Sequence, residues 1–86
     1  SEFLGKHKRF AVKSQIEEAV AGMLEFRMER LSSRFMQMQH EVFVRTWLER
    51  AADSAELAGE KEKSRMLKEK AKQFHAYKGF DLEEID

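Results

Sequence analysis

The three histidines, His7, His40 and His75, are the side chains best suited to hold a metal ion or to move a proton near neutral pH. A zinc site of the HExxH type needs two histidines four positions apart, and a di-iron carboxylate site needs a glutamate three residues before a histidine. Gln37 and Lys72 occupy the positions three residues before His40 and His75, so neither pattern occurs. We therefore predict surface or interface histidines, with no metal and no cofactor.

The carboxylates and nucleophiles follow no pattern typical of an enzyme. General acid–base catalysis needs paired carboxylates that converge on a pocket, whereas the glutamates of residues 17–49 alternate with arginines at helical neighbour spacings. Glu41 and Arg45, for example, stand four residues apart, which favours a weak surface ion pair on a helix. The chain has no cysteine, no glycine-rich phosphate loop and no nucleophile elbow. The sequence therefore predicts a protein that is not an enzyme.

Basic residues form three clusters that raise the question of nucleic-acid binding. One cluster has three arginines at steps of three and four, the spacing of one helical edge, and two lysine-rich clusters lie near the N-terminus and after Gly59. Such a surface binds phosphates without a sequence motif. The formal net charge is zero, however, and glutamates interrupt every cluster except the first along the chain. Nucleic-acid binding is therefore an alternative, and its candidate contacts to phosphates or to an acidic partner are Arg27, Arg30, Arg34, Lys8 and Arg9.

The elements that carry these side chains are predicted to be helices. Charged residues make up 37 % of the 86 residues and hydrophobic ones 42 %, and the chain has no proline. A mixture rich in Glu, Lys, Arg, Leu, Met and Ala is typical of amphipathic helices. No uncharged run approaches the ~18–20 residues of a membrane span. We expect one all-α domain without a membrane span, and an intracellular, cytoplasmic location is the default for a cysteine-free helical chain.

A heptad-like row of apolar residues is the strongest pattern in the sequence. From Ala21 to Val42 apolar residues recur at alternating steps of three and four, as in a coiled coil or a helical bundle. The row passes Ser32–Ser33 without a change of register, and neither serine has Glu or Gln three residues later. We predict one long helix through this pair. The alternative is a hinge at the serines that folds the chain into a three-helix bundle.

The helix boundaries follow from capping patterns. Ser14 and Glu17 fit a capping box, which predicts that the first helix begins near residue 14, or earlier near Phe10. Gly59 is predicted to end this helix in the left-handed conformation, and a shorter helix over about 61–78 completes an αα-hairpin. The predicted organisation is a basic arm over 1–13 with a cloning remnant at 1–3, a helical domain over 14–78, and an acidic tail or truncated helix over 79–86 of a larger protein.

The predicted function follows from the apolar row. A helix of about 45 residues, roughly 65 Å long, cannot be covered by one of about 17 residues, so a further partner is implied. We predict a non-enzymatic oligomerisation or protein–protein interaction domain whose copies form a homo-oligomeric helical bundle, such as a homodimer. An adaptor whose apolar groove binds a partner helix is a further alternative. The predicted interface residues are Leu24, Met28, Leu31, Phe35, Met38, Val42, Trp47 and Leu48.

Overall fold

The computed structural model describes residues 2–76, and the side chains of residues 5–76, as three α-helices joined by short turns. Helix α1 spans Glu2–Met28, α2 spans Arg34–Leu57 and α3 spans Lys61–Ala71. α1 packs against α2, and α2 packs against α3. The prediction of an all-α fold is confirmed, and the described residues contain no strand. Within residues 2–76, every helix is too short or too polar to cross a lipid bilayer.

The chain turns at residues 29–33, so the prediction of one helix through the serine pair is wrong. Ser33 has an extended backbone with φ −86° and ψ 123°, and its hydroxyl accepts a hydrogen bond from the Met36 N–H at 3.3 Å. This N-cap begins α2 without the glutamate that a capping box would add. The turn lets α2 fold back on α1, so that apolar residues of both helices are buried within one chain. An uninterrupted helix would leave them in water.

The first helix begins well before Ser14, and the start predicted from the capping box is wrong. Residues 2–13, predicted as a basic arm, are the first turns of α1. Ser14 is buried in the helix interior, and its hydroxyl donates a 2.7 Å hydrogen bond to the Ala51 carbonyl of α2. Glu17 is 7 % exposed, and its carboxylate accepts a 2.5 Å hydrogen bond from the Ser54 hydroxyl. The two side chains therefore join helices instead of capping one.

The turn at Gly59 confirms the predicted left-handed residue. Gly59 has φ +82°. Its N–H donates to the Glu56 carbonyl at 2.9 Å, and the Glu60 N–H donates to the Ala55 carbonyl at 2.8 Å. These two bonds are the Schellman motif, which turns the chain so that α3 lies along α2.

The third helix is shorter than the predicted span of 61–78, because it ends at Ala71. The chain then leaves the helix and stays against α2: the Phe74 carbonyl accepts a 2.9 Å hydrogen bond from Arg45. The His75 N–H donates to the Glu41 carboxylate at 3.3 Å. The predicted acidic tail over 79–86 lies outside the described residues.

Small side chains make up most of the hydrophobic core. Alanines at the α1–α2 and α2–α3 contacts let the helices approach closely, but they bury little apolar area. Leu24, Trp47 and Phe74 pack against the edge of the core and are partly buried. Because so much of the core is alanine, many of the large apolar side chains lie outside it. The buried hydrophobic residues are Ala21, Val44, Leu48, Ala51, Ala52, Ala55, Leu67 and Ala71.

Candidate functional site

The predicted interface residues are divided between the core of the chain and its surface. Three lie in the core or pack against it: Leu48, Leu24 and Trp47. Three more are half-buried: Met28, Leu31 and Val42. The remaining two are exposed on α2, Phe35 at 69 % and Met38 at 42 %. Part of the apolar row that was predicted to bind other chains is therefore buried within the chain itself.

A second apolar row lies on α1, outside the face that packs against the core of α2. Val12, Ile16, Met23 and Phe26 are exposed, Met23 at 71 % and Phe26 at 58 %. They follow one another at steps of four, seven and three residues, so they share one face of the helix. Sequence reasoning missed this row, although its spacing is as regular as that of the row that begins at Ala21. The spacing alone does not tell which of two rows is buried.

α2 adds apolar side chains on the side opposite α3. Met36, Phe43 and Leu57 are exposed, and their steps of seven and fourteen residues place them on one face. Trp47 and Leu57 of this face line a groove together with Val12 and Ile16 of α1, so the rows of the two helices are neighbours. The opposite face of α2 meets α3.

We call this side of the α1–α2 hairpin the open face. The described part of the chain exposes three other large apolar side chains, Phe35, Met38 and Met66. The exposed apolar residues are thus gathered on one side of the molecule, whereas scattered single residues would be unremarkable. The open face consists of Val12, Ile16, Met23 and Phe26 of α1 and Met36, Phe43, Trp47 and Leu57 of α2.

Cations border the open face, and two of them lie against its aromatic rings. The guanidinium carbon of Arg30 is 3.4 Å from the centroid of the Phe26 ring, and Arg30 also donates to the Phe26 carbonyl at 3.0 Å. The guanidinium carbon of Arg50 is 4.9 Å from the Trp47 ring centroid. Cation–π attraction holds both groups beside the apolar surface. The cations that line its grooves are Arg9, Lys13, Arg27, Arg30 and Arg50.

The acids of α1 within residues 5–28 are engaged inside the chain. Glu18 forms an ion pair with Lys63 and Glu25 one with Lys70, each with a nitrogen–oxygen distance of 3.4 Å. These pairs join α1 to α3 across the side opposite the open face. Glu17, which lines the groove, is buried and hydrogen-bonded to Ser54. The open face therefore combines apolar area with a cationic border.

The predicted phosphate contacts separate along the chain. Arg27 and Arg30 line one groove of the open face, and Arg9 lines the other. Lys8 is exposed on α1, and Arg34 is the exposed first residue of α2; neither lines these grooves. Three of the five predicted cations thus belong to the open face. Lys13 and Arg50 belong to it as well, although they were not predicted from the sequence.

The histidines have separate surroundings. The His7 ring lies beside Gly59. The His40 Nδ1 is 3.2 Å from the Met36 carbonyl oxygen, and the His75 Nε2 is 4.0 Å from a Glu41 carboxylate oxygen. Over residues 5–76, no three metal-binding side chains come together. The histidines therefore form no common site in the described part of the chain.

An exposed ion pair on α3, between Glu62 and Arg65, shifts the pKa of both its members. The Arg65 guanidinium donates hydrogen bonds to the Glu62 carboxylate. This bond and the adjacent positive charge lower the pKa of Glu62, and the carboxylate in turn raises the pKa of Arg65. The pair lies on the surface of α3, away from the open face.

Comparison with known proteins gave no match to a protein-family model, to a curated protein or to a solved structure. The open face and its charges are the features of the chain that indicate a function.

Proposed function

We propose that the chain is a non-enzymatic protein–protein interaction domain that binds a helix of another protein across the open face. The observation that carries this proposal is the gathering of exposed Val, Ile, Met, Phe and Leu side chains on one side of the α1–α2 hairpin. An apolar patch with a polar border is typical of a protein interaction site, because exposing apolar surface to water is unfavourable in free energy and a bound partner removes it from water.

The shape of the open face suits a helix. Val12 and Phe26 are about 21 Å apart along α1 at 1.5 Å per residue, which is the length of roughly four helical turns. Val12 and Ile16 of α1 and Trp47 and Leu57 of α2 line one groove, and Met23 and Phe26 line a second groove along α1. An amphipathic helix binds such grooves through residues at steps of three and four. The bound helix would be the fourth of a bundle and would cover Ile16, Met23 and Phe43.

Self-association is the second candidate, because Phe35 and Met38 are exposed on α2 outside the open face. Both were predicted interface residues. A second copy that covered them would build the homo-oligomeric bundle predicted from the sequence. This arrangement would use a different surface from helix binding, so substitutions separate the two.

The proposal is tested with a synthetic amphipathic peptide of about 18 residues, long enough for five turns. Its apolar residues recur at steps of three and four, and its other positions are Gln and Ala, so that it carries no charge. Trp47, the chain's single tryptophan, lines the groove and reports binding by its fluorescence. We expect a saturable change in emission.

Two variants check that the peptide binds at the open face. Ile16→Glu with Met23→Glu places charges in the apolar row and should abolish the saturable signal. Met66→Glu makes the same change at an exposed methionine of α3 and should leave binding unchanged. Circular dichroism shows that each variant keeps its helices. Loss of binding in the Met66 variant alone, or no binding by the folded parent chain, would contradict the proposal.

A further inference from the structure

We infer that the partner of the open face is an acidic amphipathic helix, with aspartates and glutamates on both sides of its apolar stripe. This inference rests on the proposed function and adds the chemistry of the partner. It is carried by the distribution of paired and unpaired charges over the three helices.

The cations of the open face have no acidic partner within the described residues. Arg9, Lys13, Arg27, Arg30 and Arg50 form no ion pair with a carboxylate of residues 5–76. Of the ten other described lysines and arginines, six form an ion pair with a carboxylate, and Lys6, Lys8, Arg34 and Lys61 do not. Those with an ion pair are Arg45, Lys63, Arg65, Lys68, Lys70 and Lys72, all on or beside α3. Five of the nine described cations that lack an ion pair therefore line the grooves of the open face, where apolar side chains are also exposed.

Three acids of α1 are engaged within the chain, whereas Asp53 and Glu29, the latter next to Arg30, are exposed. Glu18 and Glu25 bind lysines of α3, and Glu17 is buried against Ser54. Asp53 is the exposed acid that lines the groove among the described residues. Five cations and two exposed acids give this border a positive potential, which favours an acidic partner and speeds its approach.

The cations are placed to receive carboxylates at both ends of a bound helix. Lys13 and Arg27 are about 21 Å apart along α1, which matches the length of the apolar row. Arg30 is held over Phe26 by its ring contact and its hydrogen bond, so its guanidinium loses less freedom on binding. A guanidinium can then accept a carboxylate in a bidentate pair.

Two other occupants fit the charges less well. A second copy that used the same face would bring its own five cations against these, and like charges across an interface are repulsive. A nucleic acid would satisfy the cations but would leave Met23 and Phe26 without an apolar partner. The acidic helix satisfies both the charge and the apolar area.

The test uses the peptide described above in three forms that share one apolar stripe, with Glu, Gln or Lys at the flanking positions. Dissociation constants come from Trp47 fluorescence of the full chain at low and at high salt. We expect the Glu peptide to bind at least tenfold more tightly than the Gln peptide at low salt, and the Lys peptide more weakly than both. Salt near 1 M shortens the screening length to about 3 Å and should remove most of this difference.

A matched pair of variants locates the effect. Arg9→Gln with Arg27→Gln should weaken the Glu peptide several-fold and leave the Gln peptide unchanged. Lys61→Gln removes an exposed lysine at the start of α3 and should change neither. Equal affinity of the Glu and Gln peptides would overturn the inference and leave the proposed function standing. No binding of any peptide would overturn both.

Two further measurements assign the face to a different occupant if the inference is wrong. A duplex oligonucleotide that binds more tightly than the Glu peptide, with a loss in the Arg9–Arg27 variant, would indicate a nucleic-acid surface. The chain's own segment 80–86 is acidic and contains Phe80, Leu82 and Ile85. If neutralising its four acids to Asn and Gln raised the affinity for the Glu peptide tenfold, that segment would be the occupant, and the inference of a separate partner would be overturned.

Discussion

At the residue scale, the hydroxyl of Ser33 decides where the second helix begins. Ser33→Ala removes the acceptor of the Met36 N–H and should lower the free energy of unfolding by about 1 kcal/mol. Ser32→Ala is the matched control: it changes the same side chain one position earlier, outside the cap, and should stay within about 0.5 kcal/mol. Urea unfolding of both variants measures the difference. Equal losses would show that Ser33 is no cap.

Also at the residue scale, Glu17 and Ser54 form a buried pair whose members depend on each other. Ser54→Ala leaves the Glu17 carboxylate without the hydroxyl and should cost about 1–3 kcal/mol. Replacing both, as Glu17→Leu with Ser54→Ala, removes the need for the bond and should recover most of that loss. A double variant less stable than Ser54→Ala would contradict this account. Thermal or urea unfolding of the two variants gives the comparison.

At the scale of the element, Gly59 in the α2–α3 turn and Gly22 inside α1 have opposite roles. Gly59→Ala forces an alanine into φ +82° and should cost about 1–2 kcal/mol, and the nearest atoms, in the His7 ring, leave room for the methyl group. Gly22→Ala is the control within α1, where a methyl group meets nothing within 4 Å. It should stabilise the chain by up to about 1 kcal/mol. Changes of the same sign in unfolding free energy would refute the role given to the turn.

At the scale of the whole molecule, the chain is flat and elongated, with extents of 55 × 30 × 18 Å. A Cα radius of gyration of 15.2 Å exceeds the roughly 12 Å expected of a compact chain of this length. α2 lies between α1 and α3, so the three helices resemble a layer more than a closed bundle. Ion pairs join α1 to α3 across one side of this layer, and the open face lies on the other side.

The mass in solution tests the second candidate function, self-association through Phe35 and Met38. If that surface forms no interface, repulsion between the cations of the open face should keep the chain a monomer of 10.2 kDa at tens of micromolar and low salt. The homo-oligomeric bundle predicted from the sequence requires at least twice that mass. Light scattering at several concentrations gives the result. If a dimer forms, Phe35→Glu with Met38→Glu should dissociate it, whereas Ile16→Glu with Met23→Glu should not.

Local patterns in the sequence were enough to determine the helical class and the turn at Gly59, and they include no enzyme-like motif. Amphipathic composition and a glycine after an alanine-rich run act through neighbouring residues, so the sequence is enough to predict them. The cations Arg9, Arg27 and Arg30 were identified in the same way from their spacing. Of the candidate site, the sequence therefore predicted these three cations but not the apolar row over Val12–Phe26.

Tertiary contacts determined the helix boundaries, the buried row of α1 and the turn between α1 and α2. Ser14 and Glu17 match a capping box, but their partners Ala51 and Ser54 lie 37 residues away and hold them inside a helix. Both rows of α1 have helical spacing, and the position of α2 selects which row is buried. The turn at residues 29–33 forms because it lets one row of α1 be buried against α2. The free energy gained by this burial exceeds the small loss of helix propensity at a capped break. Local preferences differ by tenths of a kcal/mol, and burial between distant residues outweighs them.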